Sequence, residues 1–312
     1  MFRFLAKHLS FLCVTLLSVS FIVFMLTQLT PVDAARAILG AYATEEQVAH
    51  LTRELGLDRP VLVRYVEYIG GLLRGDLGYS LHFKEPVAEI IFDRLGNTLI
   101  LAAISFAIIV PLSILLGVIA GMREASFVDR SILILATFCT SVPEFATGVF
   151  LLSIFVVNLG ILPGLSPLLA DGHWSIAQQL VLPVATIVIF DTGYVVNMVR
   201  VSMTEVMGQS YIRTAHLKGM GFPRVVVRHA LRNAMLNPVT VIFLQINYLI
   251  SGLVVVETVF GYPGFGRMML EAALNKDVAL LEAGALVAVF VAVLTQILGD
   301  LGYMLLDPRI RT

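Results

Sequence analysis

Residues Arg200–Pro238 read RVSMTEVMGQSYIRTAHLKGMGFPRVVVRHALRNAMLNP. They form a polar stretch between two apolar ones, LVLPVATIVIFDTGYVVNMV (180–199) and VTVIFLQINYLISGLVVV (239–256). The polar stretch holds six Lys/Arg (Arg200, Arg213, Lys218, Arg224, Arg228, Arg232), one acid, Glu205, and two histidines. Lys and Arg are enriched in the loops that stay on the cytoplasmic side, so a basic segment between apolar spans reads as a cytoplasmic loop. It also carries helix punctuation. Ser210 is placed to cap a short helix running to Lys218. Gly219 and Gly221 end that helix, because glycine tolerates the left-handed residue after a helix end. Pro223 suits the first turn of a second helix, where its missing N–H is no loss. Helix, glycine break and second helix predict a rigid protrusion; a plain solvated basic loop is the bland alternative.

The flanks agree with a membrane setting. The 312 residues are 58% hydrophobic and 14% charged, whereas soluble domains carry about 25% charged residues. The net charge of −1 points to no nucleic acid or acidic partner. Cys13 and Cys139 both fall in apolar spans, which reads as two small buried hydrophobes and argues against a disulfide framework or a metal site.

Upstream of the loop, 180–199 is a fourth span containing Asp191, and 160–178 is a linker without Lys or Arg. Residues 131–159 make a third span, with a kink expected at Ser141-Val142-Pro143-Glu144; 122–130 is a short charged loop; 97–121 is a second span with Pro111 inside. The first span, Leu9 to Thr30, is longer than the roughly 7–15-residue core of a signal peptide. It matches the about 20 residues that cross a bilayer, so it reads as uncleaved. Residues 32–96 hold ten acids and seven Lys/Arg. There Thr44-Glu45-Glu46-Gln47 is a capping-box pattern opening a helix to Leu55, stopped by Gly56. Pro60 opens an amphipathic helix with Val61, Leu62, Tyr65, Val66, Ile69, Leu72 and Leu73 at helical spacing. It can lie on the membrane or pack on its own protein. Downstream, 239–256 is a fifth span and 283–306 a sixth.

Counting Lys/Arg orients the spans. With the N-terminus inside, the short inside segments hold twelve and the short outside loops two, Arg267 and Lys276. The remaining seven lie in the long insert, beyond the loops of up to about 60 residues to which the bias applies. The expected fold is therefore an all-α membrane protein with six transmembrane helices and both termini cytoplasmic. Its parts are a first helix (1–31), an extracytoplasmic helical insert (32–96) and a five-helix core (97–312) that includes the loop 200–238.

No phosphate-cradling G-x-x-x-x-G-K-S/T, H-E-x-x-H or G-x-S-x-G occurs, and the six histidines are scattered. No catalytic set, resident cofactor or metal site is expected. Acids inside spans are costly and tend to face a bundle interior or a wet path. Asp191 is the clearest, placed to meet a cationic solute or to bond a neighbouring helix. Glu144, beside Pro143, is placed to line the same path. Glu257 and Asp300 lie near span ends, where interfacial solvation or helix pairing explains them.

Four segments resemble one family. Tyr211-Ile212-Arg213-Thr214-Ala215-His216-Leu217-Lys218-Gly219, followed by Arg228-His229-Ala230-Leu231-Arg232-Asn233-Ala234, resembles the EAA loop of ABC-importer permeases, in particular the peptide/nickel subfamily. GLDRPVLVRYVEYIGGLLRGDLGYSL with Pro86-Val87, Glu257-Thr258-Val259-Phe260-Gly261-Tyr262-Pro263-Gly264-Phe265-Gly266-Arg267, and the tail Asp307-Pro308-Arg309-Ile310-Arg311 resemble it too. Ala215 and Gly219 match the pattern's last Ala and its Gly; Arg213 and Thr214 stand where Glu and Ala would be, as in the peptide subfamily; His216 and Leu217 depart from it. The resemblance implies a coupling helix that docks on a cytoplasmic ATPase subunit through Tyr211, Arg213, Thr214, Ala215, His216, Leu217, Lys218 and Gly219. It implies two ATP-binding subunits, a second homologous permease (a heterodimer), an extracytoplasmic solute-binding protein, and a bacterial or archaeal cytoplasmic (inner) membrane. The expected cargo is a di- or oligopeptide, or nickel or another small solute, moved by alternating access. The rivals are an ion-coupled secondary carrier, which predicts inverted repeats and several midplane acids, and a membrane-embedded enzyme.

Overall fold

The computed structural model describes residues 2–29, 43–54, 59–168 and 174–306. The start of the insert, Gly56 and the Asp307–Arg311 tail lie outside the described residues, as does the side chain of Asp300. Among the described residues the chain is helical, with one isolated bridge between Tyr79 and Pro86 and no named strand. Four helices are long and apolar enough to cross a membrane, five if one bent pair counts as a single span.

The chain divides into two compact units: Met1–Gly96 with Met268–Val293, and Asn97–Arg267 with Leu294–Thr312. In the first unit, α1 (Phe2–Leu29) packs on α3 (Val61–Leu73) through Tyr65. The Tyr65 hydroxyl lies 2.8 Å from Ser20 Oγ, and its ring meets Phe21 edge-on and Phe24 at centroid distances of 5.4 Å. The amphipathic helix thus contacts its own protein through Tyr65, while Leu62, Val66 and Leu73 stay exposed. Before it, α2 (Glu45–Glu54) opens with the expected capping box: Thr44 N–H donates to Gln47 Oε1 at 3.0 Å, and Gln47 N–H to Thr44 Oγ1 at 3.3 Å. Asp277 caps the last helix of the chain (Val278–Leu306), accepting from Leu280 N–H at 3.3 Å, from His82 N–H at 3.1 Å and from the Ser80 hydroxyl. Within the same unit Thr27 donates to buried Glu282 at 2.6 Å.

The second unit is built around a 32-residue helix. α4 (Val87–Met122) starts ten residues before the expected second span. α5 (Phe127–Ser141) and α6 (Glu144–Leu151, continuing through π-helical turns Leu152–Asn158) meet at a 98° bend. The expected kink is thus a break, set where extended Val142 and Pro143 interrupt the helix. α7 (Ile176–Met207) begins in a capping box made by Ser175 and Gln178. The fifth expected span is split at Leu253 into α11 (Leu236–Gly252) and α12 (Val254–Val259).

Close approach encloses α7. A Cβ on Gly117 or Gly121 of α4 would lie 2.5 Å from Val199 Cβ or Met203 Cβ, and one on Gly193 would overlap the Ala136 carbonyl of α5. Val199 and Met203 are accordingly fully buried. Beside this contact, α4, α5 and α7 leave an apolar groove of about 190 Å³ that Cys139 helps to line. Cys139 is half-buried and Cys13 exposed, so the cysteines are less enclosed than their apolar surroundings suggested; both are free thiols. Gly193→Val should cost about 1–3 kcal/mol by overpacking, whereas Gly96→Ala, whose Cβ meets nothing within 4 Å, should be neutral or stabilising. Thermal unfolding of the purified protein in detergent separates the two.

Candidate functional site

The polar loop folds as expected in outline. α8 (Ser210–Leu217) is its first limb. Its N-cap is Gln209 in extended conformation, not Ser210, and no side chain caps it. Gly208 ends α7 so closely that Ser210 is already helical, and its carbonyl accepts from the Thr214 hydroxyl at 3.0 Å. Gly219, at φ +78°, ends α8: its N–H donates to His216 O at 2.9 Å, and Met220 N–H to Ala215 O at 3.3 Å. Only glycine takes that left-handed turn without strain. The second limb comprises α9 (Phe222–Val225), π-helical Val226–Ala230 and α10 (Leu231–Ala234), with Pro223 in its first turn.

The loop is seated, not floating. Ile212 and Ala215 are buried in the same core as Val199 and Met203 of α7, together with Val225, Val226, Ala230 and Ala234. Asn233 Nδ2 donates to the Tyr211 hydroxyl at 3.0 Å and ties the two limbs together. Tyr211, Arg213, Thr214, His216, Leu217, Lys218 and Gly219 face outward, Leu217 at 81% exposure. His216 stacks on Phe222 with ring centroids 5.9 Å apart. Of the eight candidate docking residues, only Ala215 points into the chain's own core.

The two intramembrane acids come together in the second unit. Asp191, midway along α7, is 4% exposed, and Glu144, the first residue of α6 after the break, is 8% exposed. The Gln245 side chain of α11 bonds the Asp191 carboxylate, and the Glu144 charge acts on it. Tyr248, one turn along α11 from Gln245, is within electrostatic reach of both acids. Asp191 Oδ2 has no hydrogen-bond partner and neither acid has an ion pair among the described residues. Gln245 and Tyr248 went unread in the sequence because the fifth span lacks charge.

Glu257 is not solvated at an interface; it is fully buried. Its carboxylate accepts from the Thr98 hydroxyl and from Arg267 N–H at 2.9 Å, while Thr98 Oγ1 accepts from Phe265 N–H at 2.8 Å. A Cβ on Gly264 would overlap that carboxylate, and one on Gly266 would lie 2.7 Å from Val254 Cγ2. Burial pushes the Glu257 carboxyl up, against the hydrogen bonds from Thr98 and the Arg267 and Gly266 amides that hold it down. The Tyr262 phenol is pushed up as well, by burial and then by the Glu257 charge. The E-T-V-F-x-x-P-G-x-G-R segment is therefore a self-clamped turn.

A further charged pair was missed in the sequence. Arg200 Nε donates to Asp129 Oδ1 at 2.9 Å and Nη2 to Oδ2 at 2.8 Å. The signal was an acid and a base placed just outside neighbouring spans; the topology count tallies Arg200 as a loop cation and leaves Asp129 out.

Comparison with known proteins bears on these features. Residues 113–312 match the family profile described as "Binding-protein-dependent transport system inner membrane component", and residues 1–102 match its N-terminal counterpart. The dipeptide transport system permease protein DppB of Escherichia coli (strain K12) is 32% identical over 336 aligned positions, covering 100% of this chain and 99% of that one. A Brucella abortus (strain 2308) chain provisionally named as a peptide transport system permease protein is 37% identical over 298 residues, 95% of each chain. Two solved structures share the fold. An amino acid ABC transporter with histidines has a TM-score of 0.52 at 13% identity, over 69% of this chain and 94% of that one. The inward-facing MetNI methionine ABC transporter has a TM-score of 0.53 at 15% identity, over 71% and 96%.

The clamp is testable by itself. Thr98→Val removes the donor to Glu257 and the acceptor for Phe265 N–H, and should destabilise by about 1–3 kcal/mol for each buried group left unpaired. Gly264→Ala should do at least as much by displacing the Glu257 carboxylate. Melting temperatures in detergent check both.

Proposed function

From the premise that the chain belongs to the family of binding-protein-dependent transport system inner membrane components, we propose that it is the peptide-type permease subunit of an ABC importer, driven through the loop 200–238. Membership makes it a multi-pass transport subunit of the inner membrane and not an enzyme, and sets aside the ion-coupled carrier. In this reading two cytoplasmic ATPase subunits supply the energy. A second, homologous permease completes the path, and an extracytoplasmic binding protein delivers the solute. The cargo is a di- or oligopeptide, as the names of the relatives suggest.

One observation carries the reading: a short helix, closed at its C-terminal end by Gly219 and seated by buried Ile212 and Ala215 after the end of the most enclosed helix of the bundle, shows its polar face to the outside. A floppy basic loop would not transmit displacement. ATP binding closes the ATPase pair, moves α8 and tilts α7 with it, turning the path outward; hydrolysis returns it. Ala215 and Ile212 fix α8 on the bundle, and Arg213, His216, Leu217 and Lys218 meet the ATPase. This assignment places the loop in the cytoplasm and follows the six-span, both-termini-inside organisation (1–31, 32–96, 97–312) that the charge count supports.

Asp191 and Glu144 are assigned to the translocation path. Buried carboxylates without a cation partner are costly, and a peptide ammonium is the cation that this cargo brings. Two variants separate the roles. Leu217→Asp with Lys218→Glu should weaken ATPase-subunit binding at least about tenfold, the scale of an exposed anchor lost from an interface; full retention in co-purification would remove the loop from the contact. Asp191→Asn should lower peptide uptake while the ATPase subunits stay bound, and unchanged uptake would take Asp191 out of the path.

A further inference from the structure

We propose that the Asp129–Arg200 pair is a positioning joint, through which the loop 200–238 moves α5 together with α7 and so carries its displacement to the break at Val142–Pro143. The inference rests on the loop being the ATPase contact, and goes beyond it by naming the residues that pass the movement on.

The pair is built to hold direction. It is a bidentate fork, with Nε and Nη2 each on its own carboxylate oxygen, a geometry that fixes orientation as well as distance. The Asp129 side chain is 2% exposed and the Arg200 side chain 20%. Asp129 has no slack at its own end. Its Oδ2 also accepts from Ala125 N–H at 2.9 Å, with Ala125 held at φ +62°. Its N–H donates to the N-cap Ser126 Oγ at 3.2 Å. The carboxylate is thus part of the structure that starts α5. Arg200 lies two turns before the end of α7, and ten positions later α8 begins.

The surroundings give the joint its reach. On α7, Val199 and Met203 flank Arg200 and belong to the core that seats Ile212 and Ala215 of the loop. Gly193, two turns back, lies against Ala136 and Thr140 of α5. α5 is therefore fastened to α7 at its first turn by charge and along its length by close packing. Its other end is the 98° break that carries Glu144. Packing at Gly193 holds the middle of α5 to α7, and the fork adds the first turn, so that the whole of α5 follows α7 to the break. Without the fork the first turn of α5 is free to lag, and less of the loop's displacement reaches that acid.

The experiment uses the whole transporter, with its ATPase subunits and binding protein, in proteoliposomes. Asp129→Asn, Arg200→Gln and the double variant are compared for ATP hydrolysis and for peptide moved per ATP. The proposal expects ATPase subunits to stay bound and hydrolysis to hold within about twofold, while peptide moved per ATP falls about tenfold. The double variant should be no worse than either single, because one joint is lost in all three. Parallel loss of hydrolysis and transport, or an unchanged ratio, overturns it. Spin labels at exposed Arg130 and Gln209, with both charges of the pair intact, keep the test independent of the folding of those variants. The proposal expects their separation to stay constant on ATP binding, and a change overturns it. If ATPase subunits fail to co-purify with the unaltered chain, the loop assignment fails instead, and the joint with it.

Discussion

The structure depends on helix backbones coming closer than most side chains allow. Among apolar helices in lipid there is little hydrophobic drive for association, so packing contacts and small residues must supply it. Gly117 and Gly121 stand one turn apart on α4, opposite Val199 and Met203, themselves one turn apart on α7. Gly193 repeats the device on the other side, against α5. In consequence 61% of the apolar stretch of α7 is buried, against 28% or less in the other three long spans. An enclosed helix bordered by close contacts has few ways to move alone. Whatever displaces one end of it displaces its neighbours.

That constraint gives the polar segments their meaning. A basic loop at the end of a loosely held helix would be a solvated surface. Here the same loop buries Ile212, Ala215, Val225, Val226, Ala230 and Ala234 in the core that holds α7, so its outward face is presented in fixed orientation. The matched family makes such a loop a natural point of contact for a partner. Its burial gives a physical reason for such a contact, as proposed, to have mechanical effect. The clamped turn 257–267 follows the same logic with different chemistry. There a buried carboxylate organises glycine-rich backbone through Thr98 and the Arg267 amide.

Much of this was legible in the sequence, where the signal was local. Apolar length marked four of the six expected spans and the bent third, Thr44 and Gln47 marked a capping box, and Gly219 marked the end of α8, because each rests on residues within a few positions of one another. What was not legible depends on pairing at a distance. The glycines at 117 and 121 show a four-residue spacing, but the sequence does not say that Val199 and Met203 lie opposite. Arg200 and Asp129 are 71 residues apart, in two separate expected loops. Ser210 was read as a cap because its residue type suits one; Gly208 had already fixed the turn one residue earlier. Glu257 looked like an interfacial acid because its partners Thr98 and Arg267 belong to other elements.

The contrast between Asp129 and Asp191 separates structural from candidate functional acids. Both are nearly inaccessible and both pack against other helices. Asp129 has a guanidinium and a backbone N–H on it. Asp191 has the Gln245 amide on its carboxylate, a second acid nearby and one oxygen without a partner. Burying a carboxylate is tolerable when its charge and lone pairs are met and expensive when they are not. In the first case the chain supplies the compensation and gains a fixed geometry. In the second the described residues leave one oxygen unmet, which is the feature that the proposed meeting with a passing cation draws on. The same residue type at similar burial therefore sits in two different settings. What distinguishes them is whether the fold has already provided the counter-charge.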